Sequence, residues 1–264
     1  MLIILFLSFI FGLIIGSFLN VVVFRLKEEK TILGRSFCPK CKKQIRFYDN
    51  IPVLSFIYLR GKCRDCHEKI SWQYPTVEFL TGALFALSTY YFFPVSAHWT
   101  SWITLAWILG ITSLFIVIGT YDFLYMEIPI SLLIGGAVWT FLFLSLASLE
   151  QGVSLGNRLG LGLAGGIAVT LFFFSLVYAS REQWMGWGDV WLGGLAGMIV
   201  GLPLILFMLT LSFGIGALIS IGMLLWSDKK MKSQIPFAPF LISGVILSLF
   251  LPVIFPFFMQ IFFL

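Results

Sequence analysis

Apolar runs, each long enough to cross a hydrocarbon layer of roughly 30 Å, fill most of this chain. Leu2 to Phe24 is the first, followed by Pro75 to Phe93, Ser101 to Tyr121, Pro129 to Leu149 and Leu159 to Ser180. Met185 to Trp226 is too long for one helix, and Gly201-Leu-Pro203 divides it in two. A last run, Phe237 to Leu264, is interrupted by Pro252 and Pro256. In lipid, each backbone N–H and C=O must find its partner inside the protein, so a continuous apolar run of this length becomes a helix. The expected fold is therefore an all-α polytopic membrane protein with about eight transmembrane helices. Hydrophobic residues at 59% and charged ones at 11% exclude an ordinary soluble domain. No basic stretch precedes the first run and no small-residue cleavage pattern follows it, so it reads as a permanent span rather than a removed signal.

Charge placement orients the spans. Twelve of the seventeen Lys and Arg lie between Arg25 and Tyr74, and the other clusters are Arg181 and Lys229, Lys230, Lys232. With eight spans and the N-terminus outside, only Arg158 falls on the opposite side, so the basic side is expected to be cytoplasmic. The chain then divides into a first helix (1–24), a cytoplasmic loop (25–74) and a multi-helix membrane domain (75–264). The net charge of +5 is a topology signal with some attraction to anionic membrane lipids, and needs no nucleic-acid partner.

The loop holds all four cysteines, as Cys38-Pro-Lys-Cys41 and Cys63-Arg-Asp-Cys66, separated by 21 residues. Doubled CxxC knuckles are the sequence form of a four-thiolate zinc site. A redox dithiol pair or a disulfide staple is the alternative, and cytoplasmic placement disfavours a stable disulfide. So short a loop buries too little apolar surface to fold unaided, and metal binding would supply its folding energy. Four thiolates leave no open position, which makes the expected zinc structural. His67 follows Cys66 directly and reads as a bystander or substitute ligand.

Two acids stand where an apolar chain tolerates charge poorly. Asp122 ends the third run in Ile118-Gly-Thr-Tyr-Asp122, and Asp189 opens the sixth in Gly186-Trp-Gly-Asp189. A membrane carboxylate is a functional-site hypothesis by default, and two at comparable depth are the minimum equipment for acid/base hydrolysis of a peptide bond. A single interfacial Asp reads more readily as a helix cap; a pair in these contexts favours a site. Asp189, Gly193, Gly197 and Gly201 fall at four-residue steps, a stripe that admits a close neighbouring helix and turns Asp189 inward. Gly162 and Gly166 are further packing candidates, and Asn20 continues the Gly12, Gly16 stripe as a candidate interhelical hydrogen bond. Glu78 sits near the start of the second span.

These residues resemble the type IV prepilin peptidases, membrane aspartyl proteases of the GxGD group, over nearly the whole chain. The resemblance rests on Gly16-Ser-Phe-Leu-Asn-Val-Val-Val-Phe-Arg25, both knuckles, Tyr48-Asp-Asn-Ile-Pro-Val-Leu-Ser55 and Leu59-Arg-Gly-Lys-Cys63. Tyr74-Pro-Thr-Val-Glu78, Asp122 to Pro129, Gly186 to Asp189 and Ile235-Pro-Phe-Ala-Pro-Phe240 continue it. It implies a bifunctional enzyme of the bacterial cytoplasmic membrane that cleaves the leader from prepilins and pseudopilins and methylates the new amine with S-adenosylmethionine. It also implies that Asp122 and Asp189 are the catalytic pair and that Cys38, Cys41, Cys63 and Cys66 hold zinc. Thr120-Tyr-Asp122, Glu127 and Ala238, where Gly is common, depart from the family pattern.

Helix dipoles make Asp189 the expected base, near a helix N-terminus, and Asp122 the expected acid, near a helix C-terminus. No glycine-rich nucleotide fingerprint appears. Methyl transfer enters only through the resemblance; its site is expected in the loop near Arg60-Gly-Lys-Cys63, with Gly61 and Lys62 as candidates that equally well shape the turn into the second knuckle. A proton-coupled transporter would also carry membrane acids, but with repeated halves that are not evident here. A zinc-stabilised assembly factor would need the knuckles and not the aspartates.

Overall fold

The computed structural model describes residues 1–93, 99–150, 156–226 and 235–254. Among them the chain forms helices and no strands. In order these are α1 (Leu2–Lys27), α2 (Leu54–Tyr58), α3 (Gln73–Phe92), α4 (Trp99–Tyr125), α5 (Ile130–Glu150), α6 (Gly156–Ser180), α7 (Trp187–Val200), α8 (Ile205–Trp226) and α9 (Ala238–Ile254). Every long helix falls on one of the expected apolar runs, and α2 is a short extra turn inside the polar loop. Leu2–Lys27, Ser101–Tyr125, Ile130–Ser148, Arg158–Ser180 and Leu202–Leu225 are long and apolar enough to cross a membrane. The helix α7 rises only about 21 Å over its length. It stops at Gly201, whose φ of +77° is open to glycine at little cost, and a 3-10 turn at Leu202–Leu204 leads into α8. Pro252 does not end α9, which continues to Ile254, as neighbouring groups allow in membrane helices. His98 and the Lys229, Lys230, Lys232 cluster lie outside the described residues.

The chain divides into two compact units, Met1–Thr120 and Tyr121–Leu264. In the first, α1 and α3 meet backbone to backbone. A Cβ on Gly16 would lie 2.7 Å from Glu78 Cα, and one on Gly12 would lie 2.8 Å from Gly82 Cα. Small residues matter here because lipid supplies no hydrophobic force between helices, leaving van der Waals contact and hydrogen bonds to join them. The hydrogen bonds follow the same seam. Ser8 Oγ lies 2.6 Å from Thr89 Oγ1, and Asn20 Nδ2 donates to the Tyr74 carbonyl at 3.1 Å. Asn20 thus makes the interhelical bond its position in the stripe suggests.

In the second unit α6 and α7 approach as closely. A Cβ on Gly197 would stand 2.4 Å from the Gly165 carbonyl oxygen, one on Gly193 would stand 2.2 Å from the Phe173 ring, and one on Gly166 would stand 3.1 Å from the Gly194 oxygen. Phe173 fills the space that Gly193 leaves, and its ring joins Phe213 of α8 and Phe237, with centroids 5.3 to 6.3 Å apart. That cluster ties α6 and α8 to the segment entering α9. At the other face, Gly244 of α9 fits against Ser212 of α8.

Replacing Gly16 by Leu drives a side chain into the α3 backbone and is expected to cost about 1–3 kcal/mol. The loss should appear as a lower unfolding temperature in lipid nanodiscs. Gly135→Leu, at a position where a Cβ meets nothing within 4 Å, should leave that temperature unchanged.

Candidate active site and metal centre

Asp122 lies in the last turn of α4 and is 6% exposed. The helix ends just beyond it, where the Met126 N–H donates to the Asp122 carbonyl at 2.8 Å and Met126 turns to a φ of +55°. Pro129 then stands immediately before α5 and accepts from the Leu132 N–H at 3.1 Å. The Asp122 carboxylate is held from the far end of the chain: Oδ2 accepts the backbone N–H of Ala238 at 3.2 Å. Ala238 is wholly buried and is the first residue of α9.

Asp189 occupies the first turn of α7. Its Oδ2 accepts the Gly186 N–H at 3.3 Å, while its own N–H donates back to the Gly186 carbonyl at 3.2 Å. Two glycines flank Trp187, and Gly188 has a packing reason. A Cβ there would lie 3.1 Å from Ile128, so the start of α7 rests against the segment that follows Asp122. This contact joins the two segments that carry the acids. Trp187 is held by an indole hydrogen bond to Glu182 at 2.6 Å and by Phe174, 5.8 Å away centroid to centroid. Glu127, the third nearby acid in the sequence, is exposed.

The second chemical centre lies in the loop of the first unit. The sulfurs of Cys38, Cys41, Cys63 and Cys66 all lie within 4.8 Å of one another, with Cys38 and Cys66 3.9 Å apart, and all four thiols are free. The two knuckles are copies of one another. The Cys38 N–H donates to Lys43 O and the Lys42 N–H to Cys38 O; the Cys63 N–H donates to Glu68 O and the His67 N–H to Cys63 O, all at 2.9 Å. Lys42 and His67, each four residues after the leading Cys, share a positive φ, +60° and +56°. His67 serves the knuckle through its backbone.

Burial opposes a Cys38 thiolate, but the Cys41 and Lys40 N–H groups and the Cys41 and Cys63 thiols outweigh it and hold the thiol near 7. The Glu68 N–H pulls the Cys66 thiol down, but burial and the other three sulfurs push it up to about 11. Crowded thiols thus share negative charge unevenly, and a cation among them would relieve the repulsion.

Arg64 braces this centre. It clasps Asp49 with Nε at 2.8 Å and Nη2 at 2.6 Å, and lies over the rings of Tyr48 and Tyr58 at 5.3 and 5.8 Å. Bidentate pairing of this kind is the strong form of a charge-assisted bond. By contrast the exposed Lys43–Asp65 pair at 3.0 Å adds little. Gly61 takes a φ of +68°, donates to Phe56 O at 2.9 Å and accepts from Ile70 at 2.8 Å. It therefore shapes the turn into the second knuckle, and Lys62 opens the short bridge to Lys69 that closes that knuckle.

Sequence reading assigned no role to Ala238 or Arg64. The motif from Ile235 to Phe240 was the available signal for the first, and the parallel spacing from each leading Cys to Ile45 and Ile70 was the signal for the twin knuckles.

Acids at two helix ends of a polytopic bundle, together with a four-thiol centre in a polar loop, make this a membrane protein with two candidate chemical centres. Comparison with known proteins makes this specific. The family model described as the bacterial peptidase A24 N-terminal domain matches residues 10–92, and that of the type IV leader peptidase family matches residues 109–221. A prepilin leader peptidase/N-methyltransferase of Aeromonas hydrophila is 31% identical over 89% of this chain and 86% of its own. That of Bacillus subtilis is 30% identical over 91% of each. The type 4 prepilin-like proteins leader peptide-processing enzyme of an enterotoxigenic Escherichia coli strain is 32% identical over 92% and 93%. No solved structure matches. The chain belongs to the type IV leader peptidase family.

The Arg64 guanidinium holds the Asp49 carboxyl below its usual 3.8. A carboxyl lowered on folding stabilises the fold fully above its unfolded value, near 3.9, and loses that contribution as pH falls through the folded one. At pH 7, Asp49→Asn is therefore expected to speed hydrogen exchange in residues 45–66. The parent should converge on the variant as pH drops below the unfolded value.

Proposed function

We propose that this enzyme cleaves the leader of type IV prepilins and pseudopilins with Asp122 and Asp189 as an acid/base pair, then methylates the amine it has freed. The observation that supports the reading is two carboxylates at helix ends, each steadied by one backbone N–H, on segments that touch where Gly188 meets Ile128. Membership of the type IV leader peptidase family supports it.

In the proposed step a water molecule lies between the carboxylates. The ionised aspartate takes its proton, the oxygen attacks the scissile carbonyl carbon, and the protonated aspartate donates to the carbonyl oxygen. Collapse of the tetrahedral intermediate breaks the C–N bond, and the acid formed in the first half returns a proton to the departing amine. Two close carboxylates share one proton and titrate as a unit. Assigning base and acid from dipoles alone is no longer sufficient. Asp189 has the N-terminus of α7, but Asp122 draws an N–H from the first residue of α9 as well as facing the C-terminal end of α4, so both have a favourable helix end.

Four sulfurs within 4.8 Å support zinc, because tetrahedral Zn–S bonds near 2.3 Å set sulfurs about 3.8 Å apart. Cys38, Cys41, Cys63 and Cys66 would hold it with no open position, which gives it a structural role. S-adenosylmethionine, when bound, offers a methyl group to an amine lone pair. What the protein must do is hold the freed N-terminus deprotonated and in line. Gly61 and Lys62 remain the candidate residues near that site. The basic excess in residues 25–74 supports placing the loop and both aspartates at the cytoplasmic face of the bacterial inner membrane, with the N-terminus outside.

Incubating the protein in nanodiscs with a prepilin and labelled S-adenosylmethionine, and reading the product N-terminus by mass spectrometry, tests both activities. Asp122→Asn and Asp189→Asn are each expected to slow cleavage by at least about 100-fold with unchanged helix content. Unchanged cleavage in either would overturn the pair. Cys66→Ser is expected to lose most of the zinc found in the parent by elemental analysis and to loosen the loop while leaving the membrane helices folded.

A further inference from the structure

The polar loop does not simply stand off the end of α1. Glu78, six residues into α3, accepts the Val53 N–H at 2.8 Å and is also bonded by Ser17 of α1. Gly16 is in backbone contact with Glu78, so Val53 is held beside Gly16 and Ser17. These lie about 15 Å along the axis before the end of α1 at Lys27, at 1.5 Å per residue. The chain therefore leaves α1 at Lys27 and doubles back along it. Val53 reaches this position with a φ of +61°, an uncommon and costly conformation for a β-branched residue. The buried Glu78 carboxylate holds it there.

What the returning segment presents is apolar. Leu54 and Ile57 are each 65% exposed, and Ile51 and Tyr58 are also exposed. Ile51 and Leu54 line a groove of about 570 Å³ together with Ile10, Ile14 and Phe18 of α1, and Asn50 and Ser36 are among its polar lining. Ile10, Ile14 and Phe18 are themselves exposed on a helix long and apolar enough to cross a membrane. The groove is thus continuous with the lipid-facing surface of α1. Above it the loop carries twelve basic residues against five acidic ones, which favours anionic head groups.

We propose that Ile51–Tyr58 is a foot inserted into the cytoplasmic leaflet, and that the groove between this foot and α1 takes an acyl chain of an anionic bilayer phospholipid. The foot fixes the four-cysteine centre against the membrane surface, with Glu78 as the clasp that sets its depth. This does not depend on the roles given to Asp122 and Asp189.

The test places a benzoylphenylalanine photocrosslinker at position 54 or 57 of the full-length protein in nanodiscs of phosphatidylethanolamine and phosphatidylglycerol. Positions 40 and 68, exposed on the two knuckles, serve as references. After irradiation, intact mass should show phospholipid adducts at 54 and 57 at least fivefold above those at 40 and 68, with phosphatidylglycerol over-represented. Adding Glu78→Ala should lower the yield at 54 toward the reference level. Equal yields at all four positions overturn the proposal. So does replacement of lipid adducts by prepilin adducts at 54 and 57 when substrate is added, which would assign the groove to the substrate helix. A crosslinker at position 51 repeats the measurement if the position-54 protein does not fold. Prepilin cleavage by the same samples keeps the outcomes apart: cleavage without lipid adducts removes the foot and leaves the peptidase reading standing.

Discussion

The contact on which the second unit depends is that of α6 with α7, where Gly165 and Gly197 bring two backbones together and Phe173 fills the notch at Gly193. In lipid, apolar surface gains nothing by leaving one hydrocarbon for another, so helices join where they fit. Glycine at these positions removes the side chain that would hold the axes apart. The fit fixes α7 in rotation and depth, and Asp189, one helical turn from Gly193, is fixed with it. The Phe173, Phe213, Phe237 cluster transmits the same constraint to the entrance of α9, whose first N–H holds Asp122.

The first unit repeats this logic with a different purpose. Gly12 and Gly16 let α1 and α3 touch, and the close pair becomes a mast on which the loop is stayed. A loop of this length cannot bury enough surface to order itself. Its order comes from a few strong ties: four thiols gathered within 4.8 Å of one another, Arg64 clasping Asp49, and Glu78 holding Val53. Each joins residues separated by a stretch of the loop chain, so each closes a loop and confers order out of proportion to its own contact area.

Much of this was legible in the residues. Helix positions follow from apolar runs because a backbone in lipid satisfies itself within four residues, a requirement local in sequence. The stripe from Asp189 to Gly201 and the Gly12, Gly16, Asn20 stripe named their own packing faces because a helix repeats its surface every three to four residues. The cysteine spacing announced a four-thiolate cluster. The same local logic saw the C-terminus of α4 beside Asp122 and not the N–H that reaches it from the start of α9.

Sequence by itself therefore determined the helices, their inward faces and the types of residue available for chemistry. Tertiary structure decided which distant groups meet. Ala238 reaches Asp122 across 116 positions, Val53 reaches Glu78 across 25, and Gly188 settles on Ile128. Helical periodicity says which face of a helix is buried but not against what. The partner is chosen by the mutual fit of whole helices, and that is a property of the assembled bundle rather than of any one segment.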